Sequence, residues 1–229
     1  MLKYPCLVLD HDDTVVNSTA TIHYPAYLEA IRRMGRTTDL TLEGYFRVNF
    51  DPGFVPFMQQ AHAFTEEDFA VEYDIWQECV QRTIPRVYPG MDEVIRRQLR
   101  EGGTVCVVSH SVDVNIRRDY RANGLPEPTL VFGWEQPRER RKPSPWPLEE
   151  IMRRLRFAPE ELLMVDDLKP GLDMATAAGV PFAAALWAHR IPEIHAYMRR
   201  CCDSCFDTPQ ALARWLFGDD AADSPSGSV

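Results

Sequence analysis

The feature that most restricts the fold of this chain is an apolar run ending in closely spaced acids, Leu7-Val8-Leu9-Asp10-His11-Asp12. A short run of this kind is typical of a strand that is buried on both faces of a parallel sheet. Because side chains alternate along a strand, Asp10 and Asp12 would share one side if the extended geometry continued. Two carboxylates at such a short distance repel each other unless one is protonated or a cation lies between them. The run therefore predicts a divalent metal at the end of a first strand, the alternative being an ordinary strand followed by an Asp-rich turn.

The length and charge of the chain restrict its partners. With 229 residues it suits one large domain or a domain with a smaller inserted one. A net charge of −9 argues against nucleic acid or an anionic membrane surface as a partner, although a local positive pocket could still bind a small anion. The sequence contains no apolar run of about 18 residues, and its first residues lack the apolar segment of a signal peptide. We therefore expect a cytoplasmic protein.

Beyond residue 87, short apolar runs alternate with helical patterns. This alternation predicts an α/β domain of three layers, in which a doubly wound parallel sheet with right-handed crossovers is covered by helices on both faces. The later strands are predicted at residues 104–108, 129–132, 162–165 and 181–186, and the helices at 91–99, 113–122, 148–155, 172–178, 191–199 and 210–217.

Residues 17–86 differ in character from the rest of the chain. Phe69, Tyr73, Trp76 and Val80 recur at helical spacing after Thr65-Glu66-Glu67-Asp68, which has the polar cap and the acids of a helix start. Other stretches repeat the pattern, so we predict three or four packed helices that form a lid at the carboxyl end of the first strand. The predicted division is a core of residues 1–16 and 87–217, an inserted helical cap of residues 17–86, and a disordered tail of residues 218–229.

Polar side chains follow two of the later predicted strands where these end. Ser109, with the backbone N–H groups that follow it from His110, could bind a phosphate oxygen, the alternative being a plain turn or helix cap. Asp166 and Asp167 are adjacent carboxylates at the end of another strand, which is costly without a cation or a role. Lys142, in the loop between these two strands, could supply positive charge, although a lysine next to proline is usually solvated.

Taken together and in this order, these residues resemble the motifs of the haloacid dehalogenase superfamily: Asp10-x-Asp12-x-Thr14, Ser109, Lys142-Pro143 and Asp166-Asp167. Residues 174–180 resemble the helix after the last motif. The insertion resembles the first type of helical cap, found in the phosphoglycolate phosphatase and β-phosphoglucomutase-like branch. The resemblance implies a sheet with the strand order 3-2-1-4-5 and one crevice that collects all four motifs.

The resemblance also implies a mechanism, namely two-step phosphoryl transfer from a small phosphorylated metabolite. Asp10 would be the nucleophile that becomes an aspartyl-phosphate, and Asp12 would protonate the leaving oxygen and then activate water. Dehalogenases of the superfamily do not use the second aspartate, so the presence of Asp12 favours a phosphatase. The implied phosphate-binding residues are Ser109, His110 and Lys142; the implied Mg²⁺ ligands are Asp10, Asp12 through its backbone carbonyl, Asp166 and Asp167; and Arg47 is the candidate substrate contact from the cap.

Two features depart from the pattern of the family. Asp13 stands where the family usually has glycine, which adds a third carboxylate and could alter the backbone freedom of the turn. Gly171 and Leu172 stand where a further acid is usual, and Asp173 is a possible substitute. The family does include a variant with two adjacent acids, and Asp166-Asp167 fits that form.

Several alternatives stay open at the level of sequence. A sugar phosphomutase would use the same four motifs, and a non-catalytic protein that binds a phosphorylated ligand could keep the fold. Cys202-x-x-Cys205, with Cys201 and His195 nearby, has zinc-like spacing, but a helix end followed by a short strand explains it as well. The identity of the phosphomonoester and the oligomeric state are not determined by the sequence.

Overall fold

The computed structural model describes residues 2–218 of the chain. Its main sheet has six strands, all parallel, and a separate antiparallel ribbon has two. The strands are β1 (Cys6–Leu9), β2 (Val16–Asn17), β3 (Arg86–Val87), β4 (Thr104–Val108), β5 (Val131–Phe132), β6 (Leu162–Asp166), β7 (Phe182–Ala185) and β8 (Ser204–Phe206).

The order of the main sheet is β5-β4-β1-β6-β7-β8. The first five strands therefore have the predicted order 3-2-1-4-5, and β8 extends the sheet at one edge. β1 lies in the middle, with Val8 opposite Cys106 on one side and Met164 on the other. All four residues of β1 are fully buried, as expected for an apolar run enclosed on both faces.

Ten α-helices accompany the strands within residues 2–218, and none of them is long and apolar enough to cross a membrane. The first four, α1 to α4, precede β3, and we call them the cap. Their bounds are α1 Tyr24–Arg33, α2 Leu42–Phe50, α3 Phe54–His62 and α4 Glu66–Arg82. The others are α5 Met91–Arg100, α6 Asp113–Ala122, α7 Trp146–Leu155, α8 Lys169–Ala178, α9 Pro192–Cys201 and α10 Pro209–Phe217.

The alternation of side chains along β1 builds the three layers. Leu7 and Leu9 pack on one face of the sheet, against α5, α6 and α10. Cys6 and Val8 pack on the other face, against α7 and α8. Each face is a continuous apolar core, so the three-layer α/β fold with an added helical cap is confirmed.

The cap has an apolar core of its own, built largely from aromatic residues. Tyr27, Tyr45, Met58 and Phe64 are buried there together. A capping box between Thr65 and Asp68 begins α4, as the sequence indicated. The ribbon of β2 and β3 joins the two connections between cap and sheet. The division at residues 17 and 86 stays a prediction, and the predicted tail of residues 218–229 lies, apart from Gly218, outside the described residues.

A charged contact ties the end of the cap to α6. The Arg118 guanidinium donates hydrogen bonds to the Val80 carbonyl in the last turn of α4, at 2.9 Å, and to Asp119 Oδ1, at 2.9 and 2.7 Å. Asp119 is buried, and its other oxygen lies 3.2 Å from Nε2 of His11, the residue between the first two aspartates. The junction of cap and core is thus joined to the loop after β1.

We expect Arg118→Met to lower the free energy of unfolding by about 2 kcal/mol, because it leaves the buried Asp119 carboxylate with too few donors. Urea unfolding would measure this. Arg117→Met on the same helix is the matched control, since Arg117 pairs with Asp113 at the surface and should change stability by less than about 0.5 kcal/mol. Equal effects of the two substitutions would contradict the role given to Arg118.

Candidate active site

Four charged side chains meet at the carboxyl ends of β1 and β6. Lys142 Nζ donates to Asp10 Oδ1 at 2.6 Å and to Asp166 Oδ2 at 2.8 Å, and all three residues are buried. Asp167, also buried, follows Asp166 directly. The parallel pairing of β1 with β6 causes this convergence, because it brings both strand ends to the same edge of the sheet. We call Asp10, Asp166 and Asp167 the acid cluster.

One ammonium does not neutralise the acid cluster. Burial raises the pKa of Asp10 to about 7; the Lys142 charge opposes this, while Asp166 and Asp12 add to it. Burial and the neighbouring carboxylates likewise raise the pKa of Asp167 well above its usual range. Although burial opposes it, the charges of Asp10 and Asp166 raise the pKa of Lys142, which therefore stays protonated. Full ionisation of the acid cluster therefore needs more positive charge than Lys142 supplies.

The acid cluster has a donor set that fits a divalent cation. Each of its three aspartates offers a carboxylate oxygen, and these oxygens lie within 4.8 Å of one another. Asp166 is already bonded to Lys142 and to the Leu168 N–H, whereas Asp167 accepts a long bond of 3.4 Å from Thr14 Oγ1. Carboxylate oxygens are preferred ligands of hard divalent cations such as Mg²⁺ and Ca²⁺. The residues therefore fit the group that the sequence predicts, with Asp10 and Asp167 as the least committed ligands.

The side chain of Asp12 has a different environment from that of Asp10. Its Oδ1 accepts from Ser18 Oγ at 2.7 Å and lies 2.8 Å from His23 Nε2. Its Oδ2 accepts from Ser111 Oγ at 2.6 Å and from Ser109 Oγ at 3.3 Å. The Asp12 carboxylate therefore has four partners outside the acid cluster, so any metal contact would involve its backbone carbonyl.

Electrostatics also separate Asp12 from Asp10. Burial would raise the pKa of Asp12, but His23, His11 and the Ser111 hydrogen bond outweigh it and hold the pKa well below its usual range. His23 in turn accepts a hydrogen bond at Nδ1 from the Trp76 indole N–H at 2.9 Å. Since Nδ1 accepts, the proton that faces Asp12 is on Nε2, an assignment made from the hydrogen-bond pattern. A residue of the cap thereby orients the partner of Asp12.

Other residues predicted for the site lie at its margin or outside it. His110 is exposed, and its ring Nε2 donates to the Lys142 carbonyl at 3.1 Å, so the ring is committed to the backbone of Lys142. Arg47 is exposed and pairs with Glu193 and Glu43 where the cap meets α9, away from the acid cluster. Asp173 lies on the exposed face of α8.

Both departures from the family pattern have a structural reason. Asp13 adopts φ = 59°, the left-handed conformation that glycine accepts freely and that aspartate tolerates better than most residues. Its carboxylate accepts a hydrogen bond from the Tyr88 hydroxyl at 3.2 Å. At Gly171, a Cβ would lie 2.1 Å from Asp166 Oδ2. The Asp166 carboxylate fills the space that a side chain at position 171 would need.

The cysteine-rich segment is the end of a helix followed by a short strand, which is the simpler of its two interpretations. It spans the end of α9 and the beginning of β8, and all six cysteines of the chain are free. Cys205 Sγ lies 3.7 Å from the carbonyl oxygens of Met198 and Cys202. Within residues 2–218 the acid cluster is the one group of three or more potential metal ligands.

Sequence reasoning missed the partners of Asp12. Ser18 directly precedes a π-helical turn, but its hydroxyl does not cap that turn and donates to Asp12 Oδ1 instead. Ser109 and Ser111 are two residues apart, and this spacing could have indicated that both hydroxyls point to the same side of the chain, where they donate to Asp12. No local pattern singles out His23, because a π-helical turn at Thr19–His23 carries it to Asp12.

Comparison with known proteins agrees with this geometry. The model of the haloacid dehalogenase-like hydrolase family matches residues 7–185. The chain belongs to this family. It is thus an enzyme of the hydrolase class, and the predicted family and fold are confirmed.

Individual relatives cover nearly the whole chain. A phosphoglycolate phosphatase from Mesorhizobium japonicum is 25% identical over 216 residues, which are 90% of this chain and 93% of that protein. A haloacid dehalogenase-like hydrolase from Bacteroides fragilis has a TM-score of 0.77 at 21% identity, covering 92% of this chain and 100% of that one. A hydrolase of the same family from Deinococcus radiodurans was solved with bound phosphate and sodium. It has a TM-score of 0.70 at 19% identity, and the match covers 93% of this chain and 95% of that one.

We expect Gly171→Ala to destabilise the protein by about 2 kcal/mol, because the new Cβ would displace the Asp166 carboxylate in a closely packed site. Equilibrium unfolding in urea would measure this. Gly44→Ala in α2 is the control, since its Cβ would meet the flexible end of Leu40. In an Asp166→Ala background the penalty of Gly171→Ala should disappear, and a penalty that persists there would show that another contact excludes the side chain.

Proposed function

We propose that this chain is a Mg²⁺-dependent phosphatase that hydrolyses a small phosphomonoester through an aspartyl-phosphate. The observation that carries the proposal is the contrast between two aspartates two residues apart. Asp10 faces Lys142 and the acid cluster, whereas Asp12 faces serines and His23. When two neighbouring acids have environments that push their pKa values apart, they are suited to different roles in one reaction.

The relatives support a phosphorylated substrate. The Mesorhizobium relative is described as a phosphoglycolate phosphatase, and the Deinococcus structure has phosphate bound. In this chain, Lys142 donates to Asp10 and the Ser109 hydroxyl donates to Asp12, so both are close enough to the two aspartates to bind the oxygens of a phosphoryl group there.

Asp10 and Asp167, assisted by Asp166 and the Asp12 carbonyl, are the proposed ligands of Mg²⁺. The ion would offset the repulsion between carboxylates and phosphate and keep Asp10 ionised. This matters because the pKa of Asp10 is about 7 without it, close to the pH of the cell. A dianionic phosphoryl group beside Asp12 would conversely raise the low pKa of that carboxyl towards the value a proton donor needs.

The protein's own residues then divide the reaction into two steps. An Asp10 carboxylate oxygen attacks phosphorus in line, the bond to the leaving oxygen breaks, and Asp12 supplies that oxygen with a proton. In the second step Asp12, now ionised, takes a proton from water, which attacks the aspartyl-phosphate and releases inorganic phosphate. Lys142 and Ser109 hold the non-bridging oxygens throughout.

The metal assignment predicts a thermal shift. Mg²⁺ at about a hundred times its dissociation constant should stabilise the wild-type protein by about 2.7 kcal/mol, visible as a rise in Tm of several degrees. Asp167→Asn should abolish this rise and the turnover of p-nitrophenyl phosphate together. Asp173→Asn, which changes an exposed carboxylate of α8, should alter neither. A full Mg²⁺ shift in the Asp167 variant would assign the metal to other ligands.

The roles of Asp10 and Asp12 are separated by burst kinetics. Asp10→Asn removes the attacking oxygen, so p-nitrophenyl phosphate should release no nitrophenolate. Asp12→Asn keeps the nucleophile, and nitrophenolate leaves readily without a proton, so about one equivalent should appear before turnover stalls. A burst from the Asp10 variant and none from the Asp12 variant would reverse the assignment.

Incubation with a hexose phosphate distinguishes a phosphatase from a phosphomutase. Release of free phosphate, rather than formation of an isomeric hexose phosphate, would favour a phosphatase.

A further inference from the structure

Helix α6 presents polar side chains to the end of α4 and to the connection from α4 to β3. Gln81 Nε2 donates to Asn115 Oδ1 at 3.0 Å, and Asn115 Nδ2 donates to Gln77 Oε1 at 3.3 Å. At the other end of α6, Asn123 Nδ2 donates to the Pro85 carbonyl at 3.0 Å. The cap is therefore seated on α6 by directional hydrogen bonds, which form only when α4 and its connection lie at these positions.

Arg118 and Asp119 extend this contact to the loop after β1. The Arg118 guanidinium donates to the Val80 carbonyl of α4 at 2.9 Å and also to Asp119 Oδ1, at 2.9 and 2.7 Å. The other oxygen of the buried Asp119, Oδ2, lies 3.2 Å from Nε2 of His11. One guanidinium and one carboxylate thus connect the seat of the cap with the residue between the two proposed catalytic aspartates.

Stability alone does not explain a histidine at position 11. The His11 ring is buried and stacks on the Tyr120 ring, with the two centroids 5.9 Å apart. Within residues 2–218 its Nδ1 has no hydrogen-bond partner, and burial of an unpaired polar atom costs free energy. A phenylalanine could stack on Tyr120 without that cost. A polar side chain that is kept at a cost to stability is expected where function requires it.

The bond to Asp119 is the polar contact that the His11 ring makes. Because Nδ1 has no partner within the described residues and the Asp119 carboxylate is an acceptor, the hydrogen-bond pattern assigns the ring proton to Nε2. His11 is thus a neutral donor whose ring direction is set by the position of Asp119.

The backbone of His11 is held as well as its ring. Its carbonyl oxygen accepts from the N–H groups of Val15 and Val16, at 3.0 and 3.1 Å. The peptide units on the two sides of His11 lead directly to Asp10 and Asp12. Since the ring and the carbonyl together fix the orientation of this residue, they also fix the directions in which the two neighbouring carboxylates leave the backbone.

We propose that His11 and Asp119 are positioning residues, which hold Asp10 and Asp12 in their reactive arrangement only while the cap is seated on α6. The inference rests on the proposed phosphatase activity and adds a structural condition to it. When α4 leaves α6, Arg118 loses the Val80 carbonyl, Asp119 loses a fixed partner, and the His11 ring can turn. A displacement of the reacting groups by about 1 Å can slow a reaction about a hundredfold.

The test measures the turnover of p-nitrophenyl phosphate with Mg²⁺ in variants of His11. His11→Phe keeps a stacking ring and removes the bond to Asp119, so kcat should fall about tenfold while KM changes less than about twofold. The urea midpoint should stay within about 0.3 M of the wild-type value, because loss of the unpaired Nδ1 offsets loss of one hydrogen bond. His11→Gln, whose Nε2 can donate to Asp119, should restore kcat to within about threefold of wild type.

A double-mutant cycle tests the connection to the cap, at a temperature where urea unfolding shows every variant to be folded. Arg118→Met should lower kcat about fivefold in the wild-type background and less than about twofold in the His11→Phe background, where the connection is already broken. Arg121→Met is the matched control on α6, since Arg121 pairs with Glu127 at the surface, and it should leave kcat unchanged in both backgrounds. Losses from Arg118→Met and His11→Phe that simply multiply would contradict the connection.

Other results would overturn the positioning role itself. A wild-type kcat in His11→Phe would leave His11 with packing alone. A fall in kcat that accompanies a lower urea midpoint, and that His11→Gln does not reverse, would show that the ring is needed for folding rather than for positioning. Turnover by the wild-type enzyme in either case leaves the phosphatase proposal intact, whereas its absence would remove that proposal and the inference with it.

Discussion

The ion pairs of Lys142 with Asp10 and Asp166 are the interaction on which the site depends. One buried ammonium between carboxylates is stable only if its partners are held at close range, since desolvation of each charge costs several kcal/mol. The parallel pairing of β1 and β6 meets that condition by aligning the two strand ends. Gly171 also allows this close approach, because the Asp166 carboxylate occupies the space that a side chain at position 171 would need. The raised pKa values of Asp10 and Asp167 indicate that their full ionisation needs more positive charge than Lys142 supplies, which makes a divalent cation the expected third partner.

The cap contributes chemistry as well as cover. Its Trp76 orients His23, and His23 bonds to Asp12, so the proposed acid and base of the reaction is positioned from both sides of the crevice. Arg118 joins the end of α4 to Asp119 and thus to His11. A movement of the cap relative to the sheet would therefore change the hydrogen bonds of His11 and Asp12, in the short loop that carries the proposed catalytic aspartates.

The name of the Mesorhizobium relative does not by itself determine the substrate of this chain. The fold and the order of the motifs are shared within the family, and function within a shared fold is decided by the site. In this chain five of the six arginines of residues 17–86 form ion pairs with acids. A name borrowed from a protein 25% identical would therefore predict the reaction better than it predicts the leaving group.

The sequence by itself determined the architecture, because alternation along strands and helical spacing report local burial directly. The three-layer α/β architecture and the helical insertion followed from these patterns. The order of five strands and the convergence of Asp10, Lys142 and Asp167 were implied by the resemblance of the motifs to the haloacid dehalogenase superfamily. The domain boundaries, the cytoplasmic location and the roles of the site residues stay predictions. Only the tertiary structure decided that Asp12 turns to Ser18, Ser111 and His23, that Arg47 pairs with Glu193, and that Asp166 occupies the space at Gly171. These contacts join residues from separate elements, and their formation depends on side-chain directions and interatomic distances that no local spacing encodes.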